Sequence, residues 1–206
     1  MIAIVNYGLG NLGSISNMLK AIGEKSLISS NRDDIEKADG IILPGVGAFD
    51  AGMTKLKEME LIDVIKEQAL DKKKPILGIC LGMQLLGRRS EEGNSEGLNL
   101  IPFDNIRFRL ADTNLKVPHM GWDIVEFKQQ NLLTDSLKGG QRYYFVHSYH
   151  AKCDFAENIL MTCDYGYEFA AAVVKDNIMG VQFHPEKSHD FGMALLKNYV
   201  KICNGR

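Results

Sequence analysis

The sequence has little of what would place it in several protein classes. Its 206 residues include four cysteines, none of them in a C-x-x-C pair, so neither a disulfide framework nor a zinc ribbon is indicated. It has no basic surplus, because 24 Lys and Arg stand against 26 Asp and Glu, a formal net charge of −2. Proteins that bind nucleic acid usually carry such a surplus, and we therefore expect no nucleic-acid partner.

Long apolar runs are also absent. No stretch approaches the ~20 residues of a membrane helix, and the run Ile2–Val5 is too short to be a signal peptide. We therefore expect no membrane association, a cytoplasmic location and reduced cysteines. The remaining composition is that of an ordinary globular protein, 45% hydrophobic and 24% charged, and it predicts a single domain over residues 1–206.

The first half of the chain alternates short apolar strands with amphipathic helices. This rhythm predicts an α/β fold with a mostly parallel central sheet and helices on both faces. One long helix is predicted from an N-cap at Asp50 to Gln68, and another over Leu81–Arg88. The predicted strands are Ile2–Asn6, Ser26–Ser29, Gly40–Leu43 (closed by Pro44-Gly45) and Pro75–Ile79.

The second half has short β-rich runs between turn residues, which predict antiparallel strands added beside the parallel core. Asp176-Asn177 is typical of a tight hairpin turn, and Ser188 is predicted to cap a last helix with Phe191 and Leu195 on its inner face. The predicted strands are Ile106–Leu110, Asp123–Phe127, Tyr143–His147, Ile159–Cys163, Phe169–Val174 and Met179–Phe183.

Gly78-Ile79-Cys80-Leu81-Gly82 carries the first chemical signal. The pattern is that of a nucleophile elbow with cysteine in place of serine, and it lies between a predicted strand and a predicted helix. Such a turn places the sulfur of Cys80 near a helix N-terminus, where thiolate is favoured. The N–H of Leu81 would then point at a developing oxyanion. The alternative interpretation is a buried structural cysteine in a glycine-rich packing turn.

A base for this thiol is offered by His184-Pro185-Glu186, which ends an apolar strand. In extended chain, residues two apart point to the same side, so His184 and Glu186 can lie together. A carboxylate behind an imidazole fixes its tautomer and stabilises its charged form. Alone, this segment is also typical of a His-Pro turn with a solvated glutamate. The elbow and the His-x-Glu pair together favour nucleophilic catalysis.

Two glycine-rich loops need separate interpretation. Pro44-Gly45-Val46-Gly47 follows a strand, and its free N–H groups could complete an oxyanion hole, although an ordinary turn has the same composition. Gly8–Gly13 fits the dinucleotide fingerprint G-x-G-x-x-G. No acidic residue closes the following strand to hold a ribose, so we expect no nicotinamide cofactor here.

The segment Lys116–Trp122 is interpreted as an apolar loop that carries the only tryptophan. Trp122 is either an interface anchor or a core residue, and His119 is interpreted as a hydrogen-bonded loop histidine. The stretch Tyr144–His150 is either the lining of a pocket or an amphipathic strand end.

Taken together, the motifs resemble class I, triad-type glutamine amidotransferases, and within that class the glutaminase subunits of imidazole glycerol phosphate synthase. The segments run in order through nearly the whole chain. They are Asn6–Asn11, PGVGAFD at 44–50, GICLGMQLL at 78–86, SEEG at 90–93, VPHMGW at 117–122, YFVHSY at 144–149 and GVQFHPEKS at 180–188.

The resemblance implies a role for each matching residue. Cys80 attacks the side-chain amide of glutamine and forms a glutamyl thioester, His184 transfers the protons, and Glu186 orients His184. Neither a cofactor nor a metal is implied. The implied oxyanion donors are Leu81, Val46 and Gly47, and the implied glutamine-binding residues are Gln84, Glu92, Ser148 and Tyr149.

The resemblance also implies a heterodimer with a (β/α)₈-barrel synthase subunit. Ammonia passes to that subunit, which converts PRFAR to imidazole glycerol phosphate and AICAR in histidine biosynthesis. The implied partner surface includes Tyr7, Asn11, Trp122 and Asp123, the last standing where the family usually has Asn. The alternatives are a related glutaminase subunit that serves a surface-sugar amidotransferase, and a non-catalytic scaffold on the same fold.

Overall fold

An eleven-stranded sheet carries the helices of this protein in a computed structural model that describes residues 1–112 and 114–205. The strands are β1 (Ile2–Val5), β2 (Ser26–Ser29), β3 (Gly40–Gly45), β4 (Ile76–Cys80), β5 (Phe103–Arg107), β6 (His119–Phe127), β7 (Gln141–His147), β8 (Tyr149–Cys153), β9 (Ile159–Asp164), β10 (Glu168–Lys175) and β11 (Ile178–Val181). The α-helices are α1 (Leu12–Ala21), α2 (Arg32–Lys37), α3 (Phe49–Glu58), α4 (Leu61–Leu70), α5 (Leu81–Leu85) and α6 (His189–Cys203). None of them is long and apolar enough to cross a membrane.

The sheet is mixed, as the sequence predicts. Strands β2, β1, β3, β4 and β11 lie side by side and parallel. Strands β10, β9, β6 and β7 continue the sheet antiparallel, while β8 pairs with β10 and β5. The hairpin predicted at Asp176-Asn177 is confirmed, because Lys175 pairs with Ile178 across it and Asp176 adopts a φ of 53°.

Helices cover both faces of the parallel strands, which confirms the predicted layering. Strand β1 is buried on both sides, and its alternate residues enter two different apolar clusters, because successive side chains point to opposite faces. Ala3 and Val5 pack in the cluster with α2 to α5. Ile2 and Ile4 pack in the cluster with α1 and α6.

The helix predicted from Asp50 to Gln68 is wrong in two respects. It is two helices, α3 and α4, separated where Glu60 turns left-handed with a φ of 55°. Asp50 lies inside the first turn of α3, and its carboxylate accepts hydrogen bonds from the N–H groups of Asn94 and Ser95 instead of capping the helix. The apolar spacing continues across the break because both helices contribute to the same cluster.

Several expectations for the second half also need correction. The segment interpreted as a loop at Lys116–Trp122 enters strand β6 at His119, and Gly121 within this strand has a φ of 148°. Strand β8 was not predicted, and the strand expected over Ile106–Leu110 ends at Arg107. The sequence signal for β8 is weak because Tyr149–Cys153 lacks a clear apolar alternation.

The start of α6 is predicted correctly at Ser188, but the predicted capping bond is wrong. The hydroxyl of Ser188 donates to the carbonyl of His184 and accepts from the N–H of Tyr144, so it is not available to the helix. Phe191 is 38% exposed, whereas Leu195 is buried as expected. The serine therefore fixes the chain after β11 to strand β7.

The glycines on either side of Cys80 allow β4, β3 and α5 to approach closely. A Cβ on Gly82 would overlap the carbonyl oxygen of Leu43 in β3, and a Cβ on Gly78 would lie 2.7 Å from Cα of Met83 in α5. Both glycines are needed because backbone, which cannot move aside, occupies the space.

We expect Gly82→Ala to lower the free energy of unfolding by at least about 2 kcal/mol, because it forces atoms into packed backbone. The matched control is Gly13→Ala in α1, where an added Cβ meets nothing within 4 Å. That control should be neutral or stabilising by up to about 1 kcal/mol. Urea unfolding of the two variants makes the comparison, and equal midpoints would contradict the packing argument.

Candidate active site

Three neighbouring parallel strands end at the same edge of the sheet. Gly45 of β3 lies opposite Cys80 of β4, and Val181 of β11 lies opposite Ile79 of β4. The chain that follows each strand therefore emerges beside the others, and such an edge is the usual place for a site in an α/β sheet. The Val46–Gly47 turn, Cys80 and His184 are brought together in this way.

The elbow predicted at Gly78–Gly82 has the backbone geometry of a nucleophile elbow. Cys80 is the last residue of β4 and directly precedes α5, with a φ of 53° and a ψ of −110°. A non-glycine residue at positive φ is strained and persists only where its surroundings hold it. The N–H of Leu81 is the first of α5, so the sulfur lies where backbone N–H groups favour negative charge.

His184 and Glu186 form the predicted pair. His184 Nδ1 and Glu186 Oε1 are 2.8 Å apart, and both side chains are buried. The second ring nitrogen, Nε2, is buried and has no hydrogen-bond partner within the described residues. Burial lowers the pKa of His184, but the neighbouring Cys80 sulfur and Glu186 carboxylate outweigh burial and raise the pKa well above its ordinary value. The arrangement therefore favours the imidazolium form of His184.

Gln182 is a site residue that the sequence reasoning missed. Its Nε2 contacts the sulfur of Cys80 at 3.8 Å, and its Oε1 accepts a hydrogen bond of 3.1 Å from Gln84. It is fully buried, two residues before His184, and so on the same side of the extended chain. A glutamine in an otherwise apolar strand end was the available signal, because polar side chains are rarely buried without a partner.

A cavity of about 280 Å³ opens at Cys80 and His184, a size at the small end of ligand pockets. All predicted oxyanion and substrate-binding residues lie on its wall, while Glu186 stands behind His184. The lining residues are Val46, Gly47, Cys80, Leu81, Gln84, Glu92, Pro118, Val146, His147, Ser148, Tyr149 and His184.

Two of the substrate-binding candidates are fixed by hydrogen bonds to protein. The side-chain amide of Gln84 donates 3.1 Å bonds to the carbonyl of Tyr149 and to Gln182. Glu92 accepts a 2.8 Å bond from the N–H of Phe49, at the first residue of α3. The cavity wall is therefore bonded to α3 through Glu92, and α5 is bonded to strand β8 through Gln84.

The two glycines of the Pro44–Gly47 turn differ in their roles. A Cβ on Gly45 would overlap the hydroxyl of Tyr7, so this glycine serves close packing. Gly47 has a φ of 112° and nothing within 4 Å of an added Cβ, so its conformation is one that glycine alone adopts readily. The orientation of the Val46–Gly47 amides depends on this second glycine.

Of the four residues expected at a partner surface, the structure buries Tyr7 and leaves the other three at least partly exposed. Tyr7 is fully buried and donates a 2.6 Å hydrogen bond to the carbonyl of Pro44, so its placement on a surface is wrong. It follows the apolar run of β1 and joins the same core. Asn11 is exposed. Trp122 is half-buried and stacks on His189 with ring centres 5.4 Å apart, while the half-exposed Asp123 pairs with His119.

Comparison with known proteins agrees with this geometry. The family model for class-I glutamine amidotransferases matches residues 3–203. The chain is 53% identical to imidazole glycerol phosphate synthase subunit HisH 2 of Methanococcus maripaludis, covering 98% of this chain and 99% of the relative. It is 50% identical to the subunit of the same name from Pseudomonas aeruginosa, covering 98% and 100%. A crystal structure of a glutamine amidotransferase shares the fold with a TM-score of 0.77 at 15% identity, covering 99% of this chain and all of that one.

Selective alkylation tests whether Cys80 is the activated thiol. Burial raises the pKa of Cys153, Cys163 and Cys203 to about 12, so at about pH 7.5 fewer than about one such thiol in 10⁴ is ionised. Iodoacetamide should therefore modify Cys80 first, as measured by peptide mass spectrometry. Cys80→Ala should lose the fast-reacting site. Equal labelling of all four cysteines in folded protein would contradict the activated state.

Proposed function

The chain belongs to the class I glutamine amidotransferase family, and we propose that it works as the glutaminase subunit of an imidazole glycerol phosphate synthase. It hydrolyses glutamine to glutamate and ammonia, and the ammonia passes to a (β/α)₈-barrel synthase subunit in a heterodimer. That subunit uses it to make imidazole glycerol phosphate and AICAR from PRFAR in histidine biosynthesis. Because its relatives are subunits of a biosynthetic enzyme, we also place the protein in the cytoplasm.

The observation that carries this proposal is the set of Cys80, His184 and Glu186 at one small cavity. His184 takes the thiol proton, and the Cys80 sulfur bonds to the amide carbon of glutamine. When the C–N bond breaks, the departing nitrogen takes the proton from His184 and leaves as ammonia. Water then attacks the thioester, giving glutamate and returning the proton to sulfur through His184. Glu186, bonded to Nδ1 of His184, holds the ring so that Nε2 faces the reaction.

The surrounding residues supply binding and charge stabilisation. The N–H groups of Leu81 and of the Val46–Gly47 turn stabilise the oxyanion of the tetrahedral intermediate, a contribution of about 10²–10³ in rate for one donor. Gln84 and Glu92, with the backbone at Ser148–Tyr149, hold the glutamine, since these residues line the cavity. Asn11, Trp122 and Asp123 lie toward the barrel subunit. Tyr7 acts on the same turn from inside, through its bond to Pro44.

Cys80→Ala in the assembled complex tests the division of labour. Glutamine-dependent synthesis of imidazole glycerol phosphate should be lost, because no thioester can form. Synthesis fed by external ammonium should remain at the wild-type rate, because the second reaction takes place on the barrel subunit. Loss of both activities in a complex that still assembles would contradict the proposal. A wild-type complex that hydrolyses glutamine but never aminates PRFAR would favour the surface-sugar alternative.

Glu186→Gln tests the third member of the triad. A neutral amide stabilises the imidazolium of His184 poorly, and the equivalent change in a serine triad lowers kcat by about 10⁴. We expect a smaller loss, of about 10²–10³, because a thiol ionises more readily than a hydroxyl. Ammonium-dependent synthesis by the same variant is the internal control. Glutamine turnover at the wild-type rate would remove Glu186 from the mechanism.

A further inference from the structure

A chain of hydrogen bonds leads from the surface of strand β6 to the wall of the cavity. Asp123 Oδ2 lies 2.8 Å from His119 Nε2, and His119 Nδ1 lies 3.2 Å from His147 Nε2. His147 Nδ1 lies 2.8 Å from the carbonyl oxygen of Tyr149. Both imidazoles are buried, while the side chain of Asp123 is 40% exposed. The chain therefore connects solvent at one end with residues that line the cavity at the other.

The rings of this chain are held in place by aromatic neighbours. His119 is stacked between Tyr165, with ring centres 4.0 Å apart, and Phe145, at 4.8 Å. Phe108 and Phe169 pack against both imidazoles. Neither histidine can turn to another partner without disturbing this stack, so the contacts must be satisfied where they are.

The hydrogen-bond chain lacks one proton when both histidines are neutral. The carbonyl of Tyr149 and the carboxylate of Asp123 can only accept, so three contacts need three N–H groups. Two neutral imidazoles supply two. One contact then brings two lone pairs together, either between the histidines or at Tyr149. A single added proton, which makes His119 an imidazolium, gives every contact a donor and an acceptor.

The titratable groups around the chain allow this proton to come from solvent. Tyr165 stacks on His119, and His150 and His184 lie near His147, the former bonded to the hydroxyl of Tyr167. Asp123 is the only carboxylate bonded to the chain within the described residues, and it also faces Cys163. Burial lowers the pKa of His119, and Asp123 opposes that shift only in part, so the pKa stays below its ordinary value. The proton is therefore taken up as the pH falls below neutral.

We propose that Asp123 and His119 are positioning residues that act through His147 on the glutamine pocket. We also propose that the chain of hydrogen bonds from Asp123 to Tyr149 binds one exchangeable proton. With the proton, His147 holds the carbonyl of Tyr149, which also accepts a hydrogen bond from Gln84. Without it, either the contact between the two histidines or the bond to Tyr149 is broken, and in both cases His147 is held less firmly against this wall of the cavity. The kinetic part of the proposal rests on the glutaminase function. The presence of the proton in this hydrogen-bond chain does not depend on that function.

The variant Asp123→Asn separates the charge from the shape of this side chain. An asparagine amide can donate to His119 Nε2, so the chain is complete with two neutral imidazoles and no added proton. The matched control is Glu126→Gln, which neutralises an exposed carboxylate on the same strand that forms no hydrogen bond or ion pair with a histidine among the residues the structure describes. All three proteins should give native amide correlation spectra.

Nitrogen-15 spectra of the isolated protein with labelled histidine show directly which ring nitrogens carry a proton. With five histidines in the sequence, single His→Gln variants assign each ring. Between about pH 5 and 8, His119 should change from imidazolium to a neutral tautomer in the wild type and in Glu126→Gln. In Asp123→Asn it should stay neutral throughout. A neutral His119 at every pH in the wild type would overturn the proton assignment.

The pH dependence of KM for glutamine hydrolysis by the assembled complex tests the positioning role of Asp123 and His119. Across the same pH range, KM for glutamine in the wild type and in Glu126→Gln should rise about threefold to tenfold, the effect of losing one neutral hydrogen bond. Asp123→Asn should keep the low-pH KM throughout, so its KM should stay constant over the range in which the wild-type KM rises. Identical KM profiles for Asp123→Asn and wild type would overturn the positioning role. A wild-type complex without glutaminase activity would instead refute the proposed function, leaving the nitrogen-15 result intact.

Discussion

The left-handed backbone of Cys80 is the constraint on which the rest of the site depends. A strained residue of this kind raises the free energy of the folded state by about 1–3 kcal/mol and needs over-determined surroundings. Here Gly82 lies against the carbonyl of Leu43 and Gly78 against the backbone of Met83. The strain turns the sulfur out of the sheet and places it beside the first N–H of α5. Without that turn, the thiol would not face the cavity that it lines together with His184.

The order of the strands then brings the base, His184, to Cys80. Strand β11 returns from the antiparallel half of the sheet to lie parallel to β4, so Gln182 reaches Cys80 across 102 residues of sequence. His184 is fixed to strand β7, because its N–H donates to the carbonyl of Tyr144 and its own carbonyl accepts from the Ser188 hydroxyl, which in turn accepts from the N–H of Tyr144. A buried charged pair is tolerated only when it is held and partnered in this way. The sheet thus sets where the His184–Glu186 pair lies relative to Cys80, while the contact between the two residues is local.

Hydrogen bonds hold the buried polar side chains in and behind the cavity wall. Gln182, Gln84 and His147 are all buried, and each is bonded to another part of the wall. A wall of this kind is stiff when every donor has an acceptor and weak where one does not, because unpaired polar groups are unfavourable in a low dielectric. The function of the site therefore depends on proton positions as well as on atomic packing, and Asp123 extends this dependence to the surface.

Local patterns in the sequence were sufficient for the elements whose structure is decided by near neighbours. The elbow at Cys80, the hairpin at Asp176-Asn177 and the pairing of His184 with Glu186 all follow from residues within a few positions of one another. The sequence alone could not separate Asp50 as a helix cap from Asp50 as an anchor for the Asn94–Ser95 loop, because that choice depends on which distant N–H groups arrive beside it.

Tertiary structure alone decided that Tyr7 is buried, that Gln182 contacts the sulfur, and that Asp123 is joined to His119. Each of these contacts depends on strand order or on a distortion such as that at Gly121, and neither leaves a periodic signal in the chain. Residue types and their spacing therefore determined the chemistry of the site, while the close approach of distant strands determined which polar groups are paired and where their protons lie.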